Sequence, residues 1–195
     1  MAIKSIRLWL WGAVAALALT AIAAAVLLRQ PDQAGFGQGR YSLIDQDGQQ
    51  VDQTLFAGHP TALFFGFTHC PEVCPTTMAE MASWFAELGE EGEDLRAYFV
   101  SIDPQRDTPQ VLGDYVSWVS DRITGLTGTP EEIAKIAKAW GVYYERVELG
   151  GDDYTMDHTA SVFLLDAKGA FQGTIAYRED QATALGKLRN LLAKS

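Results

Sequence analysis

Cysteine is scarce in this chain: its 195 residues hold two, Cys70 and Cys74. Two are too few for a disulfide-scaffolded mini-protein or a four-cysteine zinc site. Basic residues are few as well, with 15 Lys and Arg against 25 Asp and Glu and a formal charge of −10. A nucleic-acid binder needs a basic footprint, and none is visible, which excludes nucleic acid as a partner. The sequence has no internal repeat and no second composition break after residue 41, so one domain of ordinary size with an appendage is expected. A wholly disordered or collagen-like chain is excluded by composition, at 48% hydrophobic and 21% charged.

The appendage is N-terminal. After residues 1–7, which carry Lys4 and Arg7, residues 8–28 form a run of 21 positions without a charge, rich in Ala and Leu. At 1.5 Å per residue the run reaches about 31 Å, enough to cross a bilayer core of roughly 30 Å. The preceding basic residues favour a cytoplasmic N-terminus, and Trp9 and Trp11 suit the membrane interface. A cleavable signal peptide is the competing reading, with Ala21, Ala23 and Ala25 as small-residue sites; the run exceeds the roughly 7–15 residues of such a peptide's apolar region. The expectation is therefore an uncleaved single-pass anchor in the inner membrane, with the rest of the chain in the periplasm, where cysteines can oxidise. No cysteine stands directly after the run to carry a lipid. Residues 29–40 are polar and rich in Gly and Gln, the composition of a flexible tether. Beyond Arg29 the chain holds 12 basic and 25 acidic residues, a net of −13, which serves solubility or steers a basic partner.

In residues 41–195, Tyr41–Asp45 alternates as a strand does, and Asp47–Gly48 marks a turn. Thr61–Phe67 is a nearly continuous apolar run, the mark of a strand buried on both faces. Met78, Met81, Phe85 and Leu88 recur at helical spacing. Leu95–Ile102 reads as a second buried strand. Thr108–Pro109 opens a helix in which Val111, Tyr115, Trp118 and Val119 are expected to share a face. Ile123–Leu126 is a short strand, and Thr129-Pro130-Glu131-Glu132 is a capping box whose helix stops at Gly141. A polar loop is expected over Leu149–Asp157. Strands at Thr159–Leu165 and Ala170–Ala176 follow, joined by a turn at Asp166–Gly169. A final amphipathic helix presents Leu185, Leu188, Leu191 and Leu192. This alternation predicts an α/β sandwich with a mixed sheet.

Both cysteines fall in the first strand-to-helix loop, Phe67-Thr68-His69-Cys70-Pro71-Glu72-Val73-Cys74-Pro75, a common ligand position in such sheets. Pro75 fits a first helical turn, which puts Cys74 at or near the N-cap, where the helix dipole favours a thiolate. Such a pair forms a disulfide or grips a soft metal ion. Thioredoxin-type motifs have two intervening residues and this loop has three, which weakens a simple dithiol-exchange reading. Soft thiolates select Cu(I), and imidazole also suits copper. Of the three histidines, His59 reads as a solvated turn residue. His69 adjoins Cys70, which makes it hard for both side chains to converge on one ion and leaves His69 a lesser candidate as ligand or proton donor. His158, in front of the Thr159–Leu165 strand, can face the thiols, although spacing alone does not assign it.

Three segments together carry a resemblance: the cysteine loop, Ser101-Ile102-Asp103-Pro104-Gln105-Arg106-Asp107-Thr108-Pro109, and Asp157-His158-Thr159. In this order they resemble the Sco/SenC family over roughly residues 38–194. The resemblance implies a thioredoxin-like fold, a central mixed sheet flanked by helices, and a membrane tether. It further implies one copper, Cu(I) with Cu(II) as a second state, held by Cys70, Cys74 and His158. The implied role is assembly of the dinuclear copper A centre of cytochrome c oxidase. The implied partners are the oxidase subunit bearing that centre, a copper donor protein and a thiol reductant. Asp157 either orients His158 or simply ends a loop. Asp103, Arg106 and Asp107 read first as a structural ion-pair and turn motif, with Asp103 as a second group near the copper loop. Met78 fits the helix stripe; Met156 is a remote candidate ligand. The alternatives to a metallochaperone without turnover are a thiol–disulfide oxidoreductase acting through Cys70 and Cys74, and a peroxidase relying on Arg106.

Overall fold

The computed structural model describes residues 36–151 and 153–194, with six helical positions between Trp11 and Thr20. Most of the 8–28 run, and with it the expected anchor, lies outside the described residues. Among the described residues no helix is long and apolar enough to cross a membrane.

The domain is built on a seven-stranded sheet. Its strands are β1 (Ser42–Asp45), β2 (Gln50–Asp52), β3 (Thr61–Gly66), β4 (Arg96–Ser101), β5 (Ile123–Thr127), β8 (Ser161–Leu165) and β9 (Phe171–Ala176), in the order β2-β1-β5-β4-β3-β8-β9. Strand β3 lies inside the sheet, parallel to β4 and antiparallel to β8, and all six of its residues are buried. Its apolar composition anticipates that position, since a strand covered on both faces has no polar side. The sheet is therefore mixed. Helices α1 (Val73–Leu88), α2 (Pro109–Val119), α3 (Pro130–Ala139) and α4 (Gln181–Leu192) flank it.

Helix α1 buries Met78, Met81, Phe85 and Leu88, the stripe legible in the sequence, together with Cys74, Thr77 and Trp84. Helix α2 departs from expectation. It buries Leu112 and Val116, whereas Val111 and Trp118 are exposed. Both stripes have helical spacing, and packing on β5 selects the more compact pair: Leu112 and Val116 close over Gly125, whose missing side chain leaves the room. Helix α3 starts as the capping box foretold, with Thr129 accepting from the Glu132 amide at 3.3 Å. The Glu132 carboxylate, however, accepts from the Ser42 amide at 2.7 Å, tying α3 to β1 instead of closing the box on Thr129.

Two further differences concern loops. The end of the expected tether is docked on the domain: the Phe36 ring packs on Trp140 and Phe171, with centroids 5.7 and 4.8 Å apart. Gly37 donates to the Ala139 carbonyl at 2.8 Å, at φ 79°. A Cβ on Gly37 would lie 2.3 Å from the Trp140 ring, so only glycine allows this approach. The expected loop over Leu149–Asp157 is instead most of a β-hairpin. Strand β6 (Tyr144–Gly150) pairs antiparallel with β7 (Asp153–His158), and the two form a sheet of their own. His158 is thus the last residue of β7 and does not open β8.

Candidate metal centre

The end of β3 and the start of α1 position the sulfurs. After Phe67 the chain turns, with the Cys70 amide donating to the Phe67 carbonyl at 3.2 Å. Helix α1 then begins at Val73, with Glu72 as an N-cap that makes no side-chain capping bond. A helix start leaves amides without intrahelical partners. Here the Cys74 amide donates to Cys70 Sγ at 3.3 Å. The helix end thus favours a thiolate on Cys70, and the expectation that placed it on Cys74 is corrected. The Cys70 thiol is held well below the ordinary thiol range, first by the hydrogen bond with the Cys74 thiol and then by His158 and the Cys74 and Glu72 amides, against the cost of burial. The Cys74 thiol is pushed up by the same bond, by its burial and by the charge on Cys70. One proton between two sulfurs, kept on the buried Cys74, accounts for both directions.

Gly66, at the end of β3, makes room for this arrangement. A Cβ there would stand 2.7 Å from Cys74 Sγ and 2.8 Å from the Phe99 ring. The loop is braced from below by Asp107. Its carboxylate accepts from Thr68 Oγ1 at 2.6 Å, the Thr68 amide at 3.1 Å and Ser101 Oγ at 2.6 Å.

The third group arrives from the hairpin. His158 Nε2 lies 3.7 Å from Cys74 Sγ, and its Nδ1 lies 3.0 Å from the Thr159 carbonyl. That carbonyl is the partner that orients a ring nitrogen toward the sulfurs, the usual arrangement for a metal-binding histidine. Asp157, the other candidate, is exposed on the opposite face of β7. The rings of Phe67 and Phe64 meet the imidazole edge-on at 5.9 and 6.1 Å. Cys70 Sγ, Cys74 Sγ and a His158 nitrogen all lie within 4.8 Å of one another. Donors at about 2.0–2.3 Å from one ion in a plane stand about 3.5–4.0 Å apart, so a small closure suffices to make them a three-coordinate site. Two thiolates and an imidazole are the donors that suit Cu(I).

The other candidates lie elsewhere. His59 is exposed. His69 is exposed too, with Nδ1 3.1 Å from Thr68 Oγ1. Met78 is in the core. Met156 lines a cavity with Asp103, Tyr144 and Tyr154. Asp103 is buried, pairing with Arg106 and accepting from Tyr154 Oη at 2.8 Å. Sequence reasoning did not single out Gly66 or Tyr154, since neither carries metal chemistry; their value is in space and support.

A thioredoxin-like sandwich with a CxxxC loop and a facing histidine is the architecture of a soft-metal or dithiol protein. The family model described as SCO1/SenC matches residues 29–193, and the chain belongs to that family. Among curated relatives, the Protein SCO1 homolog 1, mitochondrial, of Arabidopsis thaliana is 39% identical over 134 residues, covering 68% of this chain and 40% of its own length. Protein SCO2, mitochondrial, of Saccharomyces cerevisiae is 33% identical over 77% of this chain and 51% of its own. The chain thus spans about half the length of these relatives. The Arabidopsis thaliana ScoI structure with copper bound aligns at TM-score 0.77 and 33% identity, over 83% of this chain and all (100%) of that one. Bradyrhizobium japonicum ScoI with copper bound aligns at TM-score 0.74 and 38% identity, over 80% and 99%.

Proposed function

We propose that this chain is a membrane-tethered copper metallochaperone that binds one copper ion as cargo and assists assembly of the dinuclear copper A centre of cytochrome c oxidase. The observation that carries the reading is the convergence of Cys70, Cys74 and His158 within 4.8 Å. Copper-bound structures of two relatives support the choice of ion. Cys70 and Cys74 hold it from the body of the domain and His158 from the hairpin. Cys70 is half-buried, which gives an incoming sulfur a path, and transfer then proceeds as one protein's thiolate replaces another's. The donor protein supplies the ion, and the oxidase subunit bearing the centre receives it. The charge-free run at residues 8–28 supports an inner-membrane anchor with the domain in the periplasm.

Anaerobic Cu(I) titration of the reduced chain, with Cys70→Ala and His158→Ala beside it, tests the reading. Tight one-to-one binding is expected, abolished in Cys70→Ala and clearly weakened in His158→Ala. A reduced chain that takes up no equivalent of copper overturns it. The adjacent thiols favour a second reading, in which the pair reduces the cysteines of the recipient copper site and itself becomes a disulfide. Reductase activity unaffected by His158→Ala, with a matching reduction potential, would favour it.

A further inference from the structure

The hairpin that brings His158 is attached to the domain in an unusual way. It shares no ladder with the seven-stranded sheet. Beneath it is a cavity of about 150 Å³, lined in part by Ile102, Pro104, Ile133, Tyr144 and Met156, so apolar packing there is incomplete. Instead the strand is gripped at Tyr154. From the body of the domain the Arg106 guanidinium stacks on this ring at 3.6 Å, while Arg146, on strand β6 of the same hairpin, stacks on it at 3.6 Å. The Tyr154 hydroxyl donates to Asp103 at 2.8 Å, and its carbonyl accepts from Arg106 Nη1 at 2.9 Å. Arg106 is itself fixed by its ion pair with buried Asp103. It also lies 5.8 Å from the Phe67 ring, the ring whose other neighbour is His158.

Tyr154 and His158 are four residues apart on one strand and project to the same face, because strand side chains alternate. We propose that Tyr154 is a positioning residue for the third copper ligand: held to the body of the domain by Arg106 and Asp103, it fixes the hairpin so that the His158 imidazole stands over the two sulfurs. The inference rests on the copper reading above. The Asp103–Arg106 pair is then the fixed end of a clamp and Tyr154 the movable end. The clamp sits on the residues that follow β4 and meets the cysteine loop through Phe67 and, by way of the neighbouring Asp107, through Thr68.

A double-mutant cycle on the whole chain tests this, with Cu(I) affinity as the readout. Groups that orient a metal ligand contribute about 10–100-fold to affinity. Tyr154→Ala is therefore expected to weaken Cu(I) binding about tenfold when His158 is present and to add nothing in a His158→Ala background. Tyr154→Phe, which keeps the stacked ring, restores most of the loss. Equal losses in both backgrounds, or no loss with His158 present, overturn the proposal. Hydrogen exchange of the metal-free chain is the second arm. Tyr154→Ala should speed exchange across residues 153–158 while β3 and β4 stay protected, and unchanged exchange there also overturns it. If the wild-type chain binds no copper, the proposed function fails while this arm still decides the clamp. Should Tyr154→Ala not fold, Tyr154→Leu removes the stacked ring and its hydroxyl while keeping apolar bulk, with the same outcomes expected.

Discussion

At Gly66 a hydrogen stands where any other residue would drive a methyl group into Cys74 Sγ. Gly66→Ala should cost about 1–3 kcal/mol, the usual range for overpacking. Calorimetry should show a melting temperature lower by roughly 2–12 °C, since 1 kcal/mol moves a domain of this size by about 2–4 °C. Copper affinity should fall with it, because the added methyl would displace Cys74 Sγ. The sulfurs offer a second prediction. Cys70 is held down by its bond with Cys74, so it stays a thiolate as pH falls below the ordinary thiol range near 8.5. Alkylation of the reduced chain at pH 6 should therefore mark Cys70 at nearly its pH 8 rate and leave the buried Cys74 unmodified, as peptide mass spectrometry would show. An unperturbed thiol would slow by about 100-fold over that interval.

Among the elements, α3 shows how a cap is shared between local and distant partners. Removing the Thr129 hydroxyl with Thr129→Ala should cost about 1 kcal/mol, measurable by urea unfolding. Glu132 is held below the usual carboxylate range by Lys135 first and then by the Ser42 amide. A depressed carboxyl contributes stability above its unfolded value, near 4.3, and loses it as pH drops through the lower folded value. Glu132→Gln should therefore be less stable than the parent at pH 7, and the difference should shrink toward pH 3. The same scale shows what the sequence makes legible. The β3 run, the α1 stripe and the starts of α2 and α3 declare themselves because their patterns depend on near neighbours. In α2 two helical stripes compete, and only the space over Gly125 picks Leu112 and Val116. The β6–β7 hairpin is hidden for a related reason: it faces solvent on one side and a cavity on the other, so its residues lack a clean apolar alternation. That concealment extends to the site. Cys70 and Cys74 are close in sequence and read as a pair, whereas His158 is 84 positions from Cys74 and is assigned beforehand only by family resemblance.

For the molecule as a whole, the central strands β3, β4 and β8 and the separate hairpin define the two ends of a stability range. Amide exchange should be slowest in the former, at the free energy of global unfolding, and far faster in the hairpin, through local opening. Isolated hairpins form in about 1–10 μs. The two-stranded arm therefore has a fast route open to it that leaves the core intact. Two donors stand on the slow part of the molecule and one on the quick part. On the copper reading proposed above, the residence time of a held ion would be set by the arm, since each excursion of His158 would withdraw one of the three donors while Cys70 and Cys74 stay in place. On that reading a recipient would enter at that moment, and transfer would need no unfolding of the core.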